Sequence, residues 1–328
     1  MACTSEPEAP HTPEAKPLME LPAHFPSPVY TFSNNPLTEE GFQLGRKLFY
    51  DKRLSRTGTI SCGSCHKQSH AFADPGMPVS AGVDGLMGLR NSPALFNLAW
   101  MPHFMWDGGV NHIDVMPVAP LTEPVEMDND LPTLMAYLNS ETEYPAEFEA
   151  VFGESQVTTP RVLWALAQFQ GSMVSAGSKY DKFIEGRVSL AANEQRGMAV
   201  FEQHCSSCHQ PPLFTDHSFR NNGLGGLHPE EQGHMTITKD SADYGKFKVP
   251  SLRNVALTYP YMHNGSLMSL EAVIEHYSEG IEPLANLDPV LSDPLYLSEE
   301  DKADLLDFLQ TLTDFDFIGH PRFSDPFE

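Results

Sequence analysis

The sequence has few cysteines, few basic residues and no long apolar run. Only five cysteines occur among 328 residues, too few for a disulfide framework once four of them fall in paired motifs. Lys and Arg number 20 against 44 Asp and Glu, which leaves a net charge of -24. This balance argues against partners such as nucleic acid or an anionic membrane surface, which basic proteins bind. A basic partner protein would be attracted, although an acidic surface serves solubility equally well.

The cysteines that are present form a repeated Cys-x-x-Cys-His motif. It occurs as Cys62, Cys65 and His66 and again as Cys205, Cys208 and His209. Two thioether bonds fix the vinyl groups of a porphyrin, and the adjacent histidine then ligates the iron, so this spacing is typical of a covalently bound c-type haem. Zinc knuckles and redox dithiols also use paired cysteines. Two aligned copies, each followed by histidine, favour two c-type haems as the cofactors.

Haem attachment also bears on localisation, because bacteria attach haem to cysteine outside the cytoplasm. We therefore expect a periplasmic protein, although the sequence shows no apolar segment of the kind that a secretory signal needs. Met1-Ala2-Cys3, followed by a Pro- and Glu-rich stretch, resembles a mature bacterial lipoprotein. In that interpretation Cys3 carries a lipid, its sole link to a membrane, and residues 1–33 form a disordered tether. The alternative is an unmodified cysteine in a leader sequence.

Helical periodicity dominates the rest of the chain, and strand patterns are sparse. Residues 39–49, EEGFQLGRKLF, match residues 194–203, EQRGMAVFEQ, and each segment leads into a haem motif. The repeat predicts a mainly α fold of two cytochrome c-like helical domains, each with one covalent haem. We place these domains at residues 34–182 and 183–320, followed by a C-terminal tail, 321–328.

Capping residues predict where several helices begin. Thr38 precedes an apolar helical pattern, and Ser298 opens a capping box. Thr159, followed by Pro160, is expected to be the N-cap of a longer helix. The last two of these helices supply apolar faces for the two cores.

Further blocks in the chain resemble the bacterial dihaem cytochrome c peroxidase and MauG family over residues 35–320. The blocks are RNSP at 90–93, WDG at 106–108, VEM at 125–127, VPSLRN at 249–254 and YMHNG at 261–265. The resemblance implies a peroxide-reacting N-terminal haem and an electron-transferring C-terminal haem. It also implies a tryptophan between the haems and a calcium ion near their interface.

The resemblance assigns roles to individual residues. Trp106 would be the tryptophan between the haems, and Glu126 the distal carboxylate that moves peroxide protons. Calcium oxygens would come from Asn91, Thr258 and Pro260. Without the family, Trp106 would be interpreted as a core residue, Glu126 as a solvated acid and Asn91 as a turn residue.

Three positions depart from the conventional peroxidases. Val83 stands where those enzymes carry a histidine that ligates the peroxidatic iron at rest, which implies a five-coordinate haem open to peroxide. Tyr277 stands in place of an axial methionine, as in the MauG-like branch, and a phenolate stabilises high-valent iron better than a thioether. The alternative for Tyr277 is an ordinary helix residue. Met116 replaces a glutamine and is either a packing residue or a distal group.

These features lead to one main functional hypothesis. The resemblance implies a MauG-like or MbnH-like enzyme that uses hydrogen peroxide to form a high-valent, bis-Fe(IV)-type dihaem state and oxidises Trp or Tyr residues of a partner protein at long range. One alternative is a dihaem cytochrome c peroxidase that reduces hydrogen peroxide with electrons from a small periplasmic redox protein. Another is a non-enzymatic dihaem electron carrier, in which strong ligands would close both irons.

Overall fold

The computed structural model describes residues 18–328, and Cys3 with the first part of the predicted tether lies outside them. The described part is mainly helical. Its helices are α1 (Glu39–Tyr50), α2 (Cys62–Cys65), α3 (Val118–Thr122), α4 (Leu131–Ser140), α5 (Glu143–Phe152), α6 (Thr159–Gly171), α7 (Lys179–Ile184), α8 (Ala192–His204), α9 (Met235–Thr238), α10 (Leu270–Glu275), α11 (Glu299–Gln310) and α12 (Phe315–Ile318). Within residues 18–328, no helix is both long and apolar enough to cross a membrane.

β-structure is confined to one short antiparallel pair in the described residues. Strand β1 (Phe219–Arg220) pairs with β2 (Phe247–Lys248), and Phe219 lies opposite Lys248. The predicted mainly α fold with two cytochrome c-like units is confirmed.

The predicted helix starts agree with the structure in two of three cases. The Thr38 side chain accepts a hydrogen bond from Gly41 N at 3.0 Å, and Ser298 caps α11. The expected N-cap at Thr159 is wrong by one residue. Thr158 has the extended backbone of an N-cap, with φ -126° and ψ 154°, whereas Thr159 is already helical.

A pair of packed helices forms the centre of each unit. In the first unit α1 packs against α6, and in the second α8 packs against α11. A Cβ atom at Gly45 of α1 would overlap the carbonyl oxygen of Ala165, and one at Gly197 of α8 would overlap that of Asp304. Glycine is therefore required at both positions, because each helix backbone lies directly on its neighbour.

Each core is built on three phenylalanines, taken from the helix before the haem motif, the loop after it and the packed helix. They are Phe49, Phe72 and Phe169 in the first unit and Phe201, Phe214 and Phe308 in the second. The ring centroids of Phe49 and Phe169 lie 5.2 Å apart, as do those of Phe201 and Phe308. Phe72 and Phe214 both have positive φ, 61° and 55°. The two units thus share their turn geometry as well as their helices.

Residues 18–33 of the predicted tether pack on the first unit. Tyr30 N donates a hydrogen bond to Ala99 O at 2.9 Å, and the Trp100 indole donates to Pro26 O at 2.7 Å. The side chain of Phe32 is buried. This segment lies on the folded body because its aromatic side chains cover apolar surface there.

The last helix and the residues after it return to the first unit. Phe317 and Phe323 are buried in the first core, beside Phe72 and Phe169. The Tyr50 hydroxyl donates to Phe323 O at 2.7 Å. The first core therefore contains residues from both ends of the described chain.

Candidate active site

The first haem motif lies on a single helical turn. Ser61 N donates to Ser64 Oγ at 3.0 Å at the start of α2, which presents Cys62 and Cys65 one turn apart. His66 follows, and its Nδ1 donates to Phe72 O at 2.7 Å. Burial lowers the pKa of His66, so the imidazole is neutral. A neutral imidazole with Nδ1 bonded to a carbonyl has Nε2 available for iron.

The second motif repeats this arrangement. The His209 Nδ1 lies 3.2 Å from Phe214 O and 3.1 Å from Pro250 O, and burial lowers the pKa of this imidazole too. No cluster of three or more His, Cys, Asp or Glu side chains suited to a metal ion occurs in residues 18–328. Each motif sets two cysteines beside a neutral histidine, an arrangement that fits haem attachment.

A cavity at the second motif brings together most of the predicted site residues. Its wall contains Asn91, Trp106, Cys205, Cys208, His209, Thr258, Pro260 and Tyr277. Apolar side chains, among them Leu270, Val273 and Ile274, complete the wall. A porphyrin needs an apolar enclosure with a histidine on one face, and these residues fit that requirement. Residues 91 and 106 come from the first unit, so the cavity also connects the two units.

Hydrogen bonds position Trp106 at three points: its indole, its carbonyl and the side chain of the next residue, Asp107. Its Nε1 donates to Asn91 O at 2.8 Å, and its carbonyl accepts from Lys248 N at 2.8 Å. The adjacent Asp107 accepts from Arg90 at 2.7 Å. An indole fixed in this way keeps one orientation between the two units, which electron transfer through it requires.

A glycine-rich loop, residues 221–234, forms hydrogen bonds with Arg90 and Asp107, which lie beside Trp106. Glu231 accepts two hydrogen bonds from the Arg90 guanidinium, at 2.7 and 2.9 Å. The His234 Nδ1 donates to Asp107 O at 2.7 Å. Sequence reasoning missed these contacts, and the only available signal was the length of the loop.

Tyr277 lies in a π-helical turn, His276–Gly280, that continues α10. Such turns are frequent at functional sites. The Tyr277 hydroxyl accepts a hydrogen bond from Asn222 Nδ2 at 3.3 Å, and His276 Nε2 donates to Asn222 O at 3.0 Å. Burial raises the pKa of Tyr277 to about 12, and the bond from Asn222 opposes this rise. The phenol is therefore neutral near pH 7. Asn222 carried no sequence signal.

Glu126 lies outside this cavity, beside the first haem motif. Burial raises the pKa of the Cys62 and Cys65 thiols, and the charge of the Glu126 carboxyl adds a smaller increase to both. Although solvent reaches the side chain, surrounding protein atoms desolvate the carboxyl. This burial, with a smaller contribution from Glu123, raises the pKa of Glu126 to about 7. A carboxyl with this pKa can accept and return a proton near neutral pH.

The loop that contains Val83 is fastened to the segment that contains Glu126. Val83 N donates to Glu126 O at 2.8 Å, and a Cβ atom at Gly82 would overlap Val125 O. The Val83 side chain is 1% exposed and has no atom that can ligate iron. Met116 is also buried, within the first core, as its packing interpretation requires.

Two cytochrome c-like units, each with a Cys-x-x-Cys-His motif, define a dihaem c-type oxidoreductase. The family model Di-haem cytochrome c peroxidase matches residues 39–189, and the model Cytochrome c matches residues 194–313. The chain is 36% identical to methylamine utilization protein MauG of Methylorubrum extorquens over 282 residues, which is 85% of this chain and 79% of that protein. It is 35% identical to cytochrome c551 peroxidase of Nitrosomonas europaea over 238 residues, 71% of each chain.

A solved structure agrees with these relatives. The crystal structure of a MauG-like protein associated with microbial copper homeostasis superimposes with a TM-score of 0.87 and 36% identity, covering 94% of this chain and 99% of that one. The chain belongs to the dihaem cytochrome c peroxidase and MauG family. It is a peroxide-dependent oxidoreductase with two c-type haems.

Proposed function

We propose that this enzyme uses hydrogen peroxide to oxidise tryptophan or tyrosine residues of a partner protein at a distance. The observation that carries the proposal is the Tyr277 hydroxyl in the wall of the cavity that also contains Cys205, Cys208 and His209. His209 and Tyr277 would hold this haem, and a phenolate donor from Tyr277 would favour oxidised iron, whereas a thioether favours reduced iron. Asn222 holds the phenol oxygen in place for this role.

The first unit supplies the reaction with peroxide. When bound, the haems supply the iron that reacts with peroxide and the redox sites that hold its oxidising equivalents. Glu126 takes a proton from one peroxide oxygen and returns it to the other. Val83, which cannot ligate iron, keeps the distal side open. Trp106 then connects the two units electronically, since its indole is fixed between them.

Haem attachment, calcium and localisation complete the proposal. Cys62 and Cys65 hold one haem and Cys205 and Cys208 the other. Asn91, Thr258 and Pro260 share the wall of one cavity and offer neutral oxygens to calcium, a hard cation. The Asn91 amide nitrogen donates to Pro78 O at 3.1 Å, so the Asn91 amide oxygen takes no part in this bond.

A periplasmic location with a lipid on Cys3 fits haem attachment, and the acidic surface suits a basic partner protein.

The test is absorption spectroscopy of the ferric dihaem protein before and after one equivalent of peroxide. We expect one high-spin haem at rest and, after peroxide, a long-lived near-infrared charge-resonance band. Tyr277→Phe removes the proposed ligand and should abolish this band. Tyr261→Phe is the matched control, because Tyr261 lines the same cavity but donates its hydroxyl proton to Val255 O at 2.9 Å. The control should keep the band.

Different spectra would support the alternative function, a dihaem cytochrome c peroxidase that reduces hydrogen peroxide. Two low-spin haems at rest, or rapid oxidation of reduced cytochrome c with no near-infrared band, would contradict the proposal. The similarity to cytochrome c551 peroxidase makes that alternative concrete. Peroxide-dependent mass increase on a Trp or Tyr of the native partner, absent with Tyr277→Phe, would establish the substrate class.

A further inference from the structure

One cation in the wall of the second cavity has no acidic partner. Lys248, on β2, is 7% exposed, and among residues 18–328 no carboxylate lies within ion-pair distance of its Nζ. Arg220 in the same wall differs, because Asp216 and Asp288 each lie 2.8 Å from its guanidinium. A buried ammonium without an anion is costly, so an unpaired lysine in this position requires an explanation.

A buried histidine adds to the effect of this charge. Neither ring nitrogen of His217 is exposed, and neither has a hydrogen-bond partner among the described residues. Burial, followed by the charge of Lys248, lowers the pKa of His217 to about 4, so the imidazole is neutral. Burial alone lowers the pKa of Lys248 to about 8, which still leaves the ammonium charged at neutral pH. Lys248 is therefore the charged member of the two and His217 does not neutralise it.

An anion of defined chemistry is expected at this place. A haem carries two propionate carboxylates, and the cavity that contains Lys248 also contains Cys205, Cys208 and His209. We propose that Lys248 binds a propionate of the haem attached to Cys205 and Cys208. Because the Lys248 backbone N–H also bonds to Trp106 O at 2.8 Å, one residue fixes both the haem edge and the tryptophan.

The proposal predicts a change in the reduction potential of this haem. Removing a positive charge beside its propionate should favour the oxidised form. In Lys248→Met we expect the ratio of reduced to oxidised haem at a fixed potential to fall about tenfold, which for a one-electron couple is about 59 mV. Lys248→Arg keeps the charge and should stay near the wild-type potential. Lys246→Met is the matched control, since Lys246 is paired with Asp243 at 3.0 Å. It should leave the potential unchanged.

The measurement is a spectroelectrochemical titration of the dihaem protein, combined with resonance Raman spectra of the propionate-bending modes. A shifted propionate band and a lowered potential in Lys248→Met, restored in Lys248→Arg, would support the assignment. An unchanged band and potential in Lys248→Met would overturn it. If Lys248→Met does not load haem, Lys248→Gln replaces it, and an unshifted propionate band there overturns it equally. The inference depends on the second haem alone, so it can fail while oxidation of a partner protein holds, and the reverse.

Discussion

The pH dependence of the reaction with peroxide tests the role of Glu126 directly. As a base, Glu126 must be ionised when peroxide arrives. With a pKa of about 7, the carboxylate fraction is about one tenth at pH 6 and about nine tenths at pH 8. The rate of the peroxide reaction should therefore rise about tenfold between these pH values. A carboxyl with its ordinary pKa would be almost fully ionised at both, and the rate would be flat.

Two substitutions test whether the pH dependence originates at Glu126 or at another group. Glu126→Gln removes the proton acceptor and should slow the reaction by about 10²- to 10⁴-fold, with no rise between pH 6 and pH 8. Glu123→Gln should move the rise to lower pH, because the charge of Glu123 contributes to the raised pKa of Glu126. Its rate at pH 6 should then exceed that of the wild type.

The assay is stopped-flow mixing of ferric protein with peroxide at a series of pH values, followed in the Soret band. A wild-type rate that falls from pH 6 to pH 8 would refute the base role, since it would mean that the protonated carboxyl reacts. A tenfold rise that persists in Glu126→Gln would assign the titration to another group.

Other predictions concern electron transfer and stability. Trp106→Phe should slow oxidation of the second haem after peroxide, whereas Trp100→Phe should not, because the Trp100 indole is bonded to Pro26 O; rapid-scan spectra compare them. Arg253→Met should lower the free energy of unfolding by about 3–5 kcal/mol in urea titrations, because it removes the guanidinium 2.8 Å from the buried carboxylate of Asp181 and leaves hydrogen bonds from His24 and Ser178; a loss below 1 kcal/mol would contradict this. Burial raises the pKa of Asp181, but Arg253 and Ser178 together outweigh it, and the folded pKa is lower than usual. The stability from this pair is therefore present above the ordinary Asp pKa and is lost as the pH falls through the folded value, as acid unfolding should show. Gly197→Ala should destabilise, although helix propensity alone predicts a gain of about 1 kcal/mol, because the new Cβ overlaps a carbonyl oxygen; a raised midpoint of thermal unfolding would refute this.

The parts of the fold that could be predicted from the sequence are those determined by short local patterns. The first haem motif occupies one helical turn and the second a hydrogen-bonded turn after α8, and Thr38 and Ser298 cap helices through bonds to residues three positions on. These contacts depend on short spacing and are visible in the chain. The Thr158 cap was missed by one residue, because both threonines satisfy the same pattern and only the backbone angles separate them.

Contacts between distant segments could not be predicted in this way. Asn222 bonds to Tyr277 across 55 residues of the second unit, and Glu231 bonds to Arg90 only after the two units have packed together. Lys248 has the appearance of an ordinary strand lysine until its burial is known. Family resemblance supplied positions for Trp106 and Tyr277 but not the residues that hold them.

The return of the last helix to the first unit has a consequence for biosynthesis. Phe317 and Phe323 complete the core around Phe72, yet the ribosome makes them only after the whole second unit. The first core therefore remains open to solvent until nearly all of the chain has been synthesised. Phe72 O also receives the Nδ1 hydrogen bond of His66, so one residue links the end of the chain to the first haem motif. A chain that lacks the last helix should therefore lose support for His66 as well as part of its core.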